Sequence, residues 1–137
     1  IEIRTWRFTM SAIDVVGTYG AALGAGDMAA LAETLSDTIV WHQPGAHQLA
    51  GDHTGPAAVM AHLGRFMELS GGTFALIPDV VTESGNLVSM TVHFTAQREG
   101  ATDLDQRGVD IFRVEDGRIA EVWLISEDQA AEDLFWG

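Results

Sequence analysis

The chain has 137 residues, 47% of them hydrophobic, which suits one domain with one sizeable core. Its 20 acidic residues against 7 basic ones leave no basic stripe to neutralise phosphates, which argues against nucleic acid or an anionic membrane surface as partner. Every basic residue is Arg and there is no Lys or Cys, so Schiff-base lysines, thiol nucleophiles, disulfides and Cys-ligated zinc are excluded.

Residues 1–10 are read as an N-terminal extension ahead of a single domain over 11–137, with Met10 a plausible start. Ser11 and Asp14 resemble a capping box, and Val15, Val16, Tyr19, Ala22 and Leu23 recur at helical spacing until Gly24 and Gly26 interrupt them. Asp27 can cap a second, short helix carrying Met28, Leu31, Ala32 and Leu35. Thr38 to Gln43 is β-branched and aromatic, and Pro44-Gly45 stops it, which predicts a strand. Gly45 to Gly55 reads as a loop, and Pro56 opens a third helix with Val59, Met60, Leu63, Phe66 and Met67 on one stripe.

Four strand-like runs follow, roughly Thr73 to Glu83, Leu87 to Arg98, Asp105 to Val114 and Arg118 to Ser126, with turn signals at Gly85-Asn86, Gly100 and Asp116-Gly117. The second alternates cleanly, Met90, Val92, Phe94 and Ala96 on one face and Ser89, Thr91, His93, Thr95 and Gln97 on the other. Glu127 to Trp136 closes the chain as a short helix or arm in which Leu134, Phe135 and Trp136 need burial. The class is therefore α+β, with helices on one face of a curved antiparallel sheet that opens at an apolar mouth. No apolar run approaches the roughly 20 residues that span a bilayer, and no signal pattern leads the chain, so a cytoplasmic protein is expected.

Asp110 is the most informative residue. It is a lone carboxylate in an apolar strand, and such a group is normally paired, held protonated or turned out to solvent. Arg107 and Arg113 are the partners a purely structural role would use. His42, His47, Asp52 and His53 cluster in sequence, but their spacing matches no known ligand motif, and neither metal nor cofactor is expected. His62 and His93 read as helix-flank and sheet-surface residues, and Glu121, by its parity with Trp123, faces the outer sheet surface.

The order and spacing of Gly26-Asp27-Met28, Pro44-Gly45, Gly51-Asp52-His53-Thr54-Gly55 and Gly108-Val109-Asp110-Ile111-Phe112-Arg113, followed by Asp116-Gly117, Glu121 and Trp123, resemble the nuclear-transport-factor-2-like fold. Within it, they resemble the SnoaL-like polyketide cyclases and ketosteroid isomerases. The resemblance implies a cone of three N-terminal helices on a curved sheet. It also implies that Tyr19 and a protonated Asp110 donate to an oxyanion, the ketosteroid isomerases being the standard case of a neutral carboxylic acid in that role. The general-base aspartate of that family falls on Gln43, and the SnoaL-like aspartate that follows the last-strand Trp falls on Leu124.

Both usual bases are thus replaced. His42, with an ordinary pKa near 6.5 and on the right strand, is the expected substitute, and His47 and His53 on the loop are fallbacks. Side-chain alternation stands against it, because His42 and Gln43 face opposite ways unless Pro44 twists the strand end. The expected pocket wall comprises Trp41, Gln43, His53, Met90 and Val92, together with Phe94, Phe112, Leu124 and Trp136. The expected function is a cofactor-independent isomerase or cyclase acting on a hydrophobic carbonyl compound. Its rivals are a non-catalytic binding or assembly protein and an epoxide hydrolase. Because Val109 and Ile111 oppose Asp110 and Phe112 in parity, the outer sheet face is apolar in places and a homodimer through it is expected.

Overall fold

The computed structural model describes residues 10–137, so the N-terminal stretch read as an extension lies, except for Met10, outside the described residues. The elements are α1 (Ala12–Ala25), α2 (Met28–Glu33), β1 (Leu35–Gln43), β2 (Gly51–Thr54), α3 (Pro56–Leu69), β3 (Ala75–Ser84), β4 (Leu87–Ala96), β5 (Leu104–Glu115), β6 (Arg118–Ser126) and α4 (Gln129–Trp136). The strands form one sheet in the order β2-β1-β6-β5-β4-β3. This is the α+β cone expected from the sequence.

Three details differ from the sequence reading. Leu35, grouped by its spacing with the second helix, instead opens β1, because α2 ends at Glu33. The loop from Gly45 to Gly55 contains β2, which pairs antiparallel with β1, and β1 itself runs parallel to β6 while β3 to β6 form an antiparallel meander. The β1–β6 pairing joins the first strand to the last, a non-local contact that local patterning does not reveal.

Local chemistry explains the joints. The Ser11 hydroxyl donates to Asp14 at 2.8 Å instead of capping α1. Gly26, at φ 67°, ends that helix in the left-handed region, and Asp27 then caps α2 by accepting from the Ala30 N–H at 3.1 Å. Asp116 and Gly117 both take positive φ between β5 and β6, as an Asp-Gly hairpin requires.

The core lies between the helices and the concave face of the sheet. Val15, Val16 and Tyr19 of α1 and Val59 and Phe66 of α3 bury against Met90, Val92, Phe94, Phe112 and Val122. Gly108 lets β5 and β6 approach closely beside the core, since a Cβ there would lie 2.7 Å from the Ile125 carbonyl oxygen. Of the three apolar residues at the C-terminus expected to bury, Phe135 and Trp136 do so, whereas Leu134 is 83% exposed because α4 turns it outward. His62 also departs from expectation. It points inward from α3 and is buried.

Candidate functional site

The mouth of the cone is a cavity between α1, α3 and α4 and the concave sheet face. Apolar side chains dominate its wall, among them Leu23, Leu63, Phe66, Phe74 and Leu76. Its polar groups are few: Tyr19, Gln43, Asp110, Ser126 and Glu132. No basic side chain lines it among the described residues.

Asp110 is 9% exposed, opposite Met90 on β4 and Leu124 on β6. It forms no ion pair with Arg107 or Arg113. Arg113 instead binds Glu115 and Glu121 on the outer face. Burial, and next the charge of Glu132, push the Asp110 carboxyl up to about 7. Tyr19 packs on Phe112 with ring centroids 5.6 Å apart, and burial together with the nearby Asp110 raises its pKa, so it stays a neutral donor.

Glu132 was not anticipated from the sequence. It is carried into the cavity by α4, where Ser126 donates a short hydrogen bond to its carboxylate. Burial raises its pKa, and the Ser126 hydrogen bond opposes that shift. The charge of Glu132 also helps keep the proton on Asp110, so the two carboxyls are coupled and the cavity resists ionising both. One signal for it was present. Glu132 precedes Phe135 by three residues and Trp136 by four, and so shares the buried face of any helix there.

Asp128 caps α4 by accepting from the Ala131 N–H at 3.0 Å. The helix is also tied to the β1–β2 loop through Asp133, which accepts from the Ala46 N–H at 3.0 Å. At Gly45, with φ 104°, any Cβ would lie 2.2 Å from that Asp133 carboxylate, so only glycine lets the loop and helix meet.

Of the residues expected to form the pocket wall, Trp41, Gln43, Met90, Phe94 and Leu124 line the cavity, as do Tyr19 and Asp110. Four others do not. Val92 is buried in the core, Phe112 lies beneath Tyr19, and Trp136 packs behind Phe66 and Phe74. His53 stacks on His62 at 3.8 Å and hydrogen-bonds the Leu49 carbonyl.

His42 is the main correction. Strand alternation holds, Trp41 and Gln43 point inward, and Pro44 does not re-aim the strand end. His42 therefore lies on the outer face, where Nδ1 is 2.8 Å from Asp52 and Nε2 is 2.6 Å from Glu121, and its ring stacks on Trp123. The Glu121 hydrogen bond chiefly raises its pKa, and the ring serves as a structural bridge between two carboxylates. The fallback His47 is buried beside the cavity wall, with Nδ1 accepting from the Leu49 N–H at 3.1 Å. No cluster of metal-ligating side chains occurs among the described residues.

The fold is of the nuclear-transport-factor-2-like type, and it encloses an apolar cavity with a few polar groups. The SnoaL-like domain model matches residues 16–122, and the chain belongs to that family. A protein of unknown function with a cystatin-like fold from Xanthomonas campestris is 46% identical, with a TM-score of 0.88 over 93% of this chain and 99% of the other. Bal32a, from a soil-derived mobile gene cassette, is 33% identical, with a TM-score of 0.87 over 92% and 96%. TerC, co-crystallized with polyporic acid, shares the fold at 19% identity, with a TM-score of 0.79 over 92% and 98%. No curated protein matches the chain.

Proposed function

We propose that this protein is a cofactor-independent isomerase or cyclase that enolises a hydrophobic carbonyl compound, with Glu132 as the base. The observation that carries this is the pair of buried carboxyls, Asp110 and Glu132, in one apolar cavity, burial raising the pKa of each. In this reading Asp110 keeps its proton below about pH 7, and Glu132 is the member of the pair that acts as the carboxylate. Tyr19 and Asp110 donate hydrogen bonds to the substrate carbonyl oxygen, and Glu132 removes a proton from the adjacent carbon. The same carboxyl then returns the proton at another carbon for isomerisation, or the enolate attacks a second carbonyl to close a ring.

The SnoaL-like family supports small-molecule acid–base chemistry, and TerC, which shares the fold, was co-crystallized with polyporic acid. The direct test is conversion of a bicyclic β,γ-unsaturated ketone to its conjugated isomer, followed by ultraviolet absorption. Wild type should turn over, and Glu132→Gln should not. If ketones bind but none is isomerised or exchanges its α-proton, the non-catalytic binding reading replaces this one.

The same pair supports a second reading, the opening of an epoxide by water. Asp110 would protonate the epoxide oxygen and Glu132 would activate the water. Formation of a diol from cyclohexene oxide, dependent on both residues, would favour it.

A further inference from the structure

Gln43 occupies the position where the resemblance would put a catalytic aspartate, yet its surroundings fix it as a hydrogen-bond donor. The Trp41 indole N–H, which can only donate, lies 3.1 Å from one polar atom of the Gln43 amide, so that atom is the oxygen. His62 Nε2 lies 3.0 Å from the same oxygen and must donate to it as well. His62 is therefore the neutral Nε2–H tautomer, consistent with burial and the neighbouring His53 and His47 lowering its pKa to about 3. With Oε1 taken by two donors, the amide cannot turn over without placing its NH2 group against two N–H groups. Gln43 is 6% exposed, lines the cavity, and its Nε2 makes no hydrogen bond among the described residues.

Strand register positions this donor relative to Asp110. Trp41 pairs with Val122 and His42 with Trp123, so the parallel register brings Gln43 beside Leu124, and Leu124 pairs with Asp110. Gln43, Leu124 and Asp110 thus form one row across three strands of the cavity floor. At about 4.8 Å per strand the two polar residues stand about 10 Å apart, with an apolar side chain between them.

We infer that Gln43 is a specificity-determining donor, and that the cavity selects cyclic compounds bearing two acceptor oxygens on opposite edges of one or two fused rings. One oxygen meets Asp110 and Tyr19, the other meets the Gln43 amide NH2, and the ring between them lies over Leu124. This deepens the enolisation reading by naming the substrate class, but the geometry of recognition does not depend on turnover. Trp41 and His62 act through Gln43 as positioning residues.

The test is binding, measured by calorimetry and infrared spectroscopy with 1,4-naphthoquinone and 1-tetralone as probes. The chain has no Cys or Lys side chain for the quinone to alkylate. Wild type should bind the quinone about tenfold more tightly than the mono-ketone, one hydrogen bond's worth, and the quinone carbonyl absorption should move to lower frequency with no component left at the free position. Gln43→Glu keeps an oxygen for Trp41 and His62 but replaces the donor with an acceptor. Gln43→Met removes the donor at every pH. In both, the preference for the quinone should vanish and the carbonyl absorption should split into a shifted and an unshifted component, while 1-tetralone binding and the circular dichroism spectrum stay unchanged.

Equal binding of the two probes by wild type, no binding of the quinone, or a fully shifted carbonyl absorption in both variants would overturn the inference. Failure of catalysis alone would leave these binding results intact, so the two proposals fail separately.

Discussion

Glu132 of α4 and Asp110 of β5 share one apolar cavity, and the charge of Glu132 adds to burial in holding a proton on Asp110 near neutral pH. Two carboxylates in a site that no basic side chain lines among the described residues cannot both ionise cheaply, so their protons leave in sequence. That sequence separates a base from an acid.

Activity should follow a bell-shaped pH profile that rises as Glu132 ionises and falls as Asp110 loses its proton around pH 7. A histidine base, the expectation from sequence, would instead make the rate rise through about pH 6.5 and stay high. Asp110→Asn still donates a hydrogen bond and should keep more activity than Asp110→Ala, with the alkaline fall removed from its profile. Steady-state kinetics from pH 5 to 9 decide this. A plateau extending above pH 8 in the wild type would exclude Asp110 as the protonated donor.

Asp110→Asn should also make the protein more stable at alkaline pH. The folded-state pKa is raised from 3.8 to about 7, so folding favours the protonated form. The cost is absent below the unfolded-state value and develops as pH rises from there to about 7, reaching on the order of 4 kcal/mol. Urea unfolding should therefore show the two proteins nearly equal at pH 4 and the variant clearly more stable at pH 8. Parity at pH 8 would mean that Asp110 is not desolvated.

His42→Ala should leave catalysis largely intact, because the side chain lies on the outer face between Asp52 and Glu121. Its loss should cost about 1 kcal/mol or less of stability, the scale of a partly exposed ion pair. The raised His42 pKa means its contribution is present at low pH and is lost as pH rises through the folded-state value. The lowered Glu121 pKa means its own contribution is lost as pH falls through its folded-state value. The difference in melting temperature between wild type and variant should be largest between those two values and close to zero at strongly alkaline pH. A large fall in kcat would restore His42 as a catalytic group.

The outer sheet face should mediate a homodimer. It presents half-buried Val109, Ile111 and Trp123 beside exposed Ile77 and Ile125, ringed by the His42, Arg113 and Glu121 network. Light scattering at micromolar concentration should give about twice the chain mass of 14.7 kDa. Trp123→Arg should return it to the chain mass without loss of helical or strand signal.

The sequence by itself determined the class of fold and its elements apart from β2, because caps, glycines and period-two alternation are local physics. Asp27 caps α2, Asp116-Gly117 turns the last hairpin, and the parity of β5 sends Asp110 inward with Phe112. The same alternation rule warned against His42, and it held. What the tertiary structure alone decided was which distant groups meet. Glu132 lies 22 positions after Asp110 on a different element, and only the packing of Phe135 and Trp136 turns its side chain into the cavity. Likewise Gln43 reads in sequence as a lost base. Its role as an oriented donor exists because α3 brings His62 against it, a contact between elements that no local pattern encodes.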